Sequence, residues 1–397
     1  MEKVKIIDFC NISNGFAFKS DKYISENGAR VIRITNVQKG KIVDNDPKLY
    51  PFSELDKLEA YKIFEGDILM SLTGNVGRVG RFPKELLPAY INQRVCRVMP
   101  KNEKLDTNFL FHFLNSDVFE NEAIKNSAGA AQLNLSTKWL GDFEIPLPPL
   151  ATQQRIAAIL DQADAIIQNN RAIVQKYDAL TQSLFLDMFG DPVKNEKGWE
   201  KVKGSLIYQV KGRVGWKGYK KTDLRESGAY VIGATHIDKF GYINLTNPVY
   251  ISDEKFLESP EIIIEKNDLI FVQRGNTIGK IGLVRDVLER ATINPVVVIL
   301  RPKVSPYFLL YLLLNKSILN KIIEINSGSA QPMITQNSMN EYQFINPPIE
   351  LQNQFAERVA VIEAQKQKAQ LELAKSEELF NSLLQRAFKG GVELMGK

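Results

Sequence analysis

Pro148-Pro149-Leu150-Ala151-Thr152-Gln153 opens a run with no further proline or glycine before Gly190, and Pro347-Pro348-Ile349-Glu350-Leu351-Gln352 opens a second that lasts until Gly390. In the first run Ile156, Ile159/Leu160, Ala163, Ile166/Ile167, Ile173, Tyr177, Leu180, Leu184 and Met188 recur at steps of three and four. In the second, Phe355, Val359, Ile362, Ala369, Leu373, Phe380, Leu383 and Phe388 do the same. This spacing predicts long amphipathic helices over 151–189 and 351–388. The prolines make a rigid helix start, where the first N–H groups lack intrahelical partners. Gly190-Asp191-Pro192 and Gly390-Gly391 are the stops. A helix of about 36 residues is about 54 Å long, too long to be covered by the segment 1–147. The obvious partner is the other helix. Gln365-Lys366-Gln367-Lys368 interrupts the seam, so part of the surface is expected to face solvent or another protein.

The helices belong to a larger duplication with a period of about 200 residues, right for a repeated domain plus linker. Met1-Glu2-Lys3-Val4-Lys5 returns as Trp199-Glu200-Lys201-Val202-Lys203, and Asn27-Gly28-Ala29-Arg30-Val31-Ile32 as Ser227-Gly228-Ala229-Tyr230-Val231-Ile232. Gly66-Asp67-Ile68-Leu69 matches Asn267-Asp268-Leu269-Ile270, and Gly74-Asn75-Val76-Gly77-Arg78 matches Gly275-Asn276-Thr277-Ile278-Gly279-Lys280 with one insertion. Ile91-Asn92 matches Ile293-Asn294. Ahead of each helix, Arg30–Val37, Asp67–Leu72 and Ile293–Leu300 read as strands, and Phe109–Leu114 with its twin Tyr307–Leu314 as a helix.

The expected fold class is therefore α+β. Two similar globular domains are separated by two long helices packed as an antiparallel coiled coil, with pseudo-two-fold symmetry, since duplicated units usually pack about such an axis. The expected divisions are 1–147, a spacer helix over 148–190, 191–346 and a second spacer helix over 347–397. Two independent coiled coils that bind other chains are the alternative.

Composition narrows the function. With 397 residues, 44% hydrophobic and 24% charged, the chain is no disordered polymer and has room for two or three domains. Its best candidate for a membrane span, Phe308–Leu314, is far short of the about 18 residues a membrane helix needs. Cys10 and Cys96 make neither a disulfide framework nor a zinc cluster. The start of the sequence lacks the apolar core of a signal peptide, so a reduced, cytoplasmic protein is expected. The net charge is only +5, but Lys211, Arg213, Lys217, Lys220, Lys221 and Arg225 cluster around Trp216 and Tyr219. Arg78, Arg81, Lys84, Arg94, Arg97 and Lys101 cluster around Phe82 and Tyr90. Such clusters suit phosphate contact, and also an ordinary basic surface.

Motifs that suggest catalysis do not complete themselves. Asn346-Pro347-Pro348-Ile349 lacks the aromatic that stacks on a flipped base in amino-methyltransferases, and its twin Leu147-Pro148-Pro149-Leu150 lacks the Asn. Gly275–Lys280 is one residue short of a P-loop and has no Ser/Thr after the Lys, so a tight glycine turn is the better reading. His112 and His236 do not pair across the repeat. The sequence reads as a non-catalytic binder.

The order variable domain, long helix, variable domain, long helix resembles the specificity (HsdS) subunit of type I restriction–modification enzymes over essentially the whole chain. The likeness is carried by Gly15-Phe16-Ala17-Phe18-Lys19-Ser20, Gly66-Asp67-Ile68-Leu69, Thr73-Gly74-Asn75-Val76-Gly77, Ile91-Asn92-Gln93-Arg94, the Pro-Pro-x-x-x-Gln helix starts and Met188-Phe189-Gly190-Asp191-Pro192. The resemblance implies that 1–147 and 199–346 are target recognition domains, each reading half of a bipartite double-stranded DNA target. It implies helices that set the spacing and dock two methyltransferase subunits, with restriction/motor subunits joining through the complex. S-adenosylmethionine, ATP and Mg would then belong to those partners, and this chain would bind no cofactor. The second copy departs from the pattern. Gly212-Arg213-Val214-Gly215-Trp216-Lys217 matches Phe18-Lys19-Ser20 only loosely, and Ile293-Asn294-Pro295 loses the Gln-Arg.

The side chains best suited to DNA contact are Lys19, Arg33, Asn36, Asn75, Arg78, Gln93 and Arg94 in the first domain. In the second they are Lys217, Lys220, Lys221, His236, Arg274, Asn276 and Lys280. Lys and Arg neutralise phosphates, Arg reads guanine, and Asn or Gln reads adenine. Two competing classes remain: a self-sufficient DNA methyltransferase or nuclease, and a scaffold that joins two proteins without touching DNA.

Overall fold

The computed structural model describes residues 3–127, 133–213, 218–286, 288–325 and 333–389. Two compact units divide the chain: Met1–Asn170 with Leu371–Lys397, and Arg171–Gln370. The long helices run over Leu150–Phe189 and Ile349–Lys389, slightly wider than their spacing predicts. The Pro149 and Pro348 carbonyls accept their first helical bonds, from Gln153 and Gln352 N–H at 3.1 and 3.2 Å.

Inside each unit the helix segments run antiparallel. In the first, Ile156 and Leu160 share a core with Leu384 and Ala387, and further along Asn170 donates to Ser376 Oγ at 3.0 Å. In the second, Asp178 pairs with Lys366, and Phe185 and Phe189 meet Phe355 with ring centroids 5.7 and 5.4 Å apart. The seam differs from expectation in two ways. Ile166, Ile173 and Leu180 are exposed, whereas Lys366, read as part of a polar interruption, is buried beside Asp178.

The first head holds a six-stranded sheet in the order Cys10–Asn14, Val95–Pro100, Ile68–Ser71, Val79–Arg81, Gly40–Ile42, Val37–Gln38. Beside it lies a three-stranded sheet, Leu49–Pro51, Gly28–Ile32, Ala89–Ile91. The second head repeats the core of this order in Tyr208–Lys211, Val297–Pro302, Leu269–Val272, Ile281–Leu283, and in Leu224–Arg225, Tyr250–Ile251, Ala229–Ile232, Ala291–Ile293. Both heads share one parallel strand pair, Gly28–Ile32 with Ala89–Ile91 and Ala229–Ile232 with Ala291–Ile293, and in the first head Gly40–Ile42 also runs parallel to Val79–Arg81. The repeated Lys-Val-Lys segments are strands too. Lys3–Lys5 pairs with Glu144–Pro146 and Lys201–Lys203 with Gln343–Ile345, tying the start of each head to its exit into a long helix.

Two expected strands are broken by asparagines. Arg30–Val37 divides because Asn36 Oδ1 accepts from Arg33 N–H at 2.9 Å, a turn that competes with the ladder. Ile293–Leu300 divides where Asn294 Oδ1 accepts from Val296 N–H at 3.0 Å. The expected helices appear as Thr107–Leu114 and Pro306–Leu314. Each is followed by a further helix that the apolar pattern does not announce, Asp117–Ser127 and Lys316–Ile325.

Cys10 and Cys96 are buried, and burial pushes both thiols up to about 12. The thiolate is the reactive form, so neither cysteine should react with iodoacetamide in the folded protein, and both should react in denaturant. Mass spectrometry checks this; fast alkylation of either under native conditions would contradict the packing.

Candidate nucleic-acid interface

In the first unit, loops at one end of both sheets are laced together by backbone bonds. Phe16 N–H donates to the Ile91 carbonyl at 2.9 Å, and Gln93 N–H to the Phe16 carbonyl at 2.9 Å. Asn92 N–H reaches the Ile32 carbonyl at 3.1 Å, and Leu72 N–H the Arg94 carbonyl at 2.9 Å. A Cβ on Gly15 would stand 2.1 Å from the Asn92 carbonyl oxygen, so this approach requires glycine. The lacing gathers the segments that carry Lys19, Arg33, Asn75, Arg78, Gln93 and Arg94 on one rim.

Those side chains are not equally available. Lys19, Asn75, Gln93 and Arg94 are exposed, and among the described residues no hydrogen bond or ion pair engages their side chains. Arg33 is half-buried and donates to the Asp46 carbonyl and carboxylate, both at 3.1 Å. Lys48 and Arg33 together hold the Asp46 carboxyl below its usual range. Arg78 donates to Gln38 Oε1 at 2.6 Å. Asn36 is buried: besides accepting from Arg33 it donates to the Val43 carbonyl at 2.8 Å, so its amide is occupied inside the loop.

The second unit repeats the frame with other atoms. Asn294 N–H donates to the Ile232 carbonyl at 2.9 Å and Gln273 N–H to the Val296 carbonyl at 3.1 Å. Where Phe16 N–H served Ile91, Arg213 Nη2 donates to the Ile293 carbonyl at 2.7 Å, a side chain standing in for backbone. Arg274, Asn276, Lys220 and Lys221 are exposed, with Arg274 donating to the Pro295 carbonyl at 2.7 Å. Lys280 is half-buried and reaches the Ile237 carbonyl at 3.3 Å. Lys217 lies outside the described residues. His236 is buried and proves to be the counterpart of Asn36: its Nδ1 accepts from Gly233 N–H at 3.0 Å, and its Nε2 faces the Asn247 carbonyl at 3.0 Å.

The repeated glycine turns, Gly74 to Gly77 and Gly275 to Gly279, are packing devices. Gly77 and Gly279 have φ of 75° and 87°. A Cβ there would meet Ala123 at 2.9 Å and Leu319 at 2.4 Å, on the helices that follow. Each turn therefore presses its hairpin onto a helix and projects Asn75 or Asn276 outward.

Sequence reasoning noted other repeats without seeing their work. Asp67 and Asp268 are buried, and each caps its own turn, accepting from Phe64 N–H at 2.9 Å and Glu265 N–H at 2.7 Å. Each also binds an arginine of the neighbouring strand, Arg97 at 3.1 Å and Arg301 at 2.8 Å. Gln153 and Gln352, also buried, weld head to helix. Gln153 accepts from Asp106 N–H at 2.8 Å and donates to the Lys104 and Pro148 carbonyls. Gln352 accepts from Ser305 N–H at 3.2 Å and donates to the Pro347 carbonyl and Asn346 Oδ1. Asn346 thus serves the helix start.

The family profile described as type I restriction modification DNA specificity domain matches residues 1–176 and again 196–373. The chain belongs to this family. Along 98% of its length it is 24% identical to the EcoBI specificity subunit of Escherichia coli, covering 85% of that protein. Over 43% of its length it is 33% identical to the MjaVIII specificity subunit of Methanocaldococcus jannaschii, covering 41% of it. The crystal structure of a type I restriction–modification S subunit from M. genitalium has a TM-score of 0.56 at 16% identity, covering 98% of this chain and 96% of that one, a likeness of fold. The chain is thus a type I specificity subunit with two DNA specificity domains, and none of its helices is long and apolar enough, among the described residues, to cross a membrane.

Proposed function

We propose that each head of this specificity subunit reads one half of a bipartite double-stranded DNA target, while the long helices set the spacing and dock two methyltransferase subunits, through which restriction/motor subunits join. The observation that carries this reading is the shared frame itself. Equivalent backbone bonds hold equivalent loops in both heads, yet the rim side chains differ, as two readers of different base edges on one scaffold require. Lys19, Asn75, Gln93, Arg94, Arg274, Asn276, Lys220 and Lys221 are the exposed contacts. Arg33, Arg78 and Lys280 reach DNA by exchanging their present partners for phosphate or base. Asn36 and His236 shape the loops that present them.

Methyl transfer and ATP-driven cleavage are assigned to the partners, with S-adenosylmethionine, ATP and Mg bound there. The glycine turn at 275–279 suits this assignment, since Leu319 fills the space against its second glycine.

Docking is supported by Ile166, Ile173 and Leu180, which stand seven residues apart on the first long helix and are exposed. Such an apolar stripe suits a partner helix or groove. Ile173→Asp with Leu180→Asp is expected to weaken co-purification of the methyltransferase subunit by about 30-fold or more, the scale of an interface hot spot. Unchanged co-purification would move docking elsewhere. Charge reversal at Arg78 and Lys280 tests the DNA reading separately.

A further inference from the structure

The second head rests on the helices through a buried set of charges that the recognition rim does not use. Glu363, on the second long helix, is 8% exposed. It takes Arg285 Nη2 at 2.7 Å and Nε at 3.3 Å, and accepts from the hydroxyls of Tyr242 at 3.2 Å and Tyr307 at 3.0 Å. The Arg285 guanidinium lies 4.1 Å from the centre of the Tyr242 ring, and its Nη1 donates to the Gly241 carbonyl at 2.8 Å. One turn further along the same helix, buried Lys366 pairs with Asp178 of the first long helix and sits 4.6 Å from Tyr242 and 4.9 Å from Phe240. Gly241 has φ 81°, and a Cβ there would meet Leu310 at 2.9 Å, so the loop is pressed into this seat.

The first head is seated by different chemistry. Asp161 receives His112 Nε2 at 2.7 Å and Asn108 Nδ2 at 2.8 Å, and buried Ile167 stands at the repeat position of Lys366. The duplication therefore does not explain the second seat.

We infer that Glu363 and Arg285 are positioning residues: their two-pronged pair, clasped by Tyr242 and Tyr307, fixes the angle and height of the second head on the helices, and so the length of the unread spacer between half-sites. This inference rests on the proposed bipartite reading. A planar guanidinium held by two atoms of one carboxylate defines orientation as well as distance, which a lone lysine contact does not. Changing the spacer by one base pair demands a shift of about 3.4 Å and a rotation of about 35° between half-sites. Apolar packing alone resists a tilt of that kind less sharply than a directed ion pair does.

The test is methylome sequencing of cells carrying the full chain, or its Glu363→Ala variant, with the cognate methyltransferase subunit. Both half-sites should keep their sequences. Methylation at targets whose spacer differs by one base pair should rise from background to about a tenth of that at the native spacing. Because Glu363→Ala strands a buried cation and can unfold the head, Glu363→Leu with Arg285→Leu is the companion variant, since apolar replacement of a buried pair is often neutral for stability. If that variant is folded and keeps a single spacer, or if it changes the second half-site, the inference falls. A wild-type chain that directs no bipartite methylation would instead refute the bipartite reading.

Discussion

Reversing Arg78 and Lys280 together, Arg78→Glu with Lys280→Glu, is expected to abolish measurable binding to target duplex at physiological salt. Each residue follows the second glycine of a hairpin turn, Gly77 or Gly279, and each is tied to the next loop, through Gln38 Oε1 at 2.6 Å or the Ile237 carbonyl at 3.3 Å. Neither bond is an ion pair, so each cation keeps its charge to offer to phosphate. Replacing a phosphate-facing cation with an anion loses one counterion-release contact and adds repulsion. Two such changes should weaken binding by about 10²- to 10⁴-fold and flatten its salt dependence. Fluorescence anisotropy over a salt series reads both effects. The fold should survive, because both side chains sit at loop ends and the frame beneath them is made of backbone bonds. A double variant that binds duplex like the wild type would favour the scaffold reading.

The largest expected effect on stability is that of Asp268→Ala. Asp268 is 1% exposed, accepts from Arg301 Nε and Nη2, both at 2.8 Å, and caps its own turn through Glu265 N–H at 2.7 Å. Removing the carboxylate leaves the part-buried guanidinium with only the exposed Glu265 carboxylate as an ion-pair partner, strips it of two hydrogen bonds and opens the turn. The expected cost is about 3–5 kcal/mol, a large share of the stability of a single domain. Thermal unfolding followed by circular dichroism should show the second unit melting first and early. Asp67→Ala should cost less, since Arg97 makes a single bond of 3.1 Å to Asp67. Asp268→Leu with Arg301→Met should recover much of the loss. A single Asp268→Ala variant as stable as the parent would show that the pair matters little.

How far the sequence discloses this molecule depends on the physics behind each signal. The long helices were legible because a 3.6-residue period and the absence of Pro and Gly are local properties, and their ends follow from Pro149, Pro348 and Gly190. The duplicated heads were legible as repeats, and Gly15, Gly77 and Gly279 are glycines for reasons of close approach. The broken strands were not, because Asn36 and Asn294 divert backbone bonds through side-chain geometry that composition does not reveal. Asn36 and His236 looked like base readers by residue type, whereas their turns draw both side chains inward. Lys366 looked solvated because its neighbours Gln365, Gln367 and Lys368 are polar; its partner Asp178 is distant in sequence, and so are Arg285 and Tyr242 from Glu363. Long-range charge pairing leaves no periodic trace.

In the proposed function, two heads read DNA independently on one chain. Its most direct test is genome-wide adenine methylation in cells that express this chain with its cognate methyltransferase subunit, compared with a chain in which residues 199–346 are exchanged for another head. A bipartite motif in which one half changes while the other half stays is the predicted result. Methylation at an unchanged motif would remove the second head from sequence recognition and contradict the account.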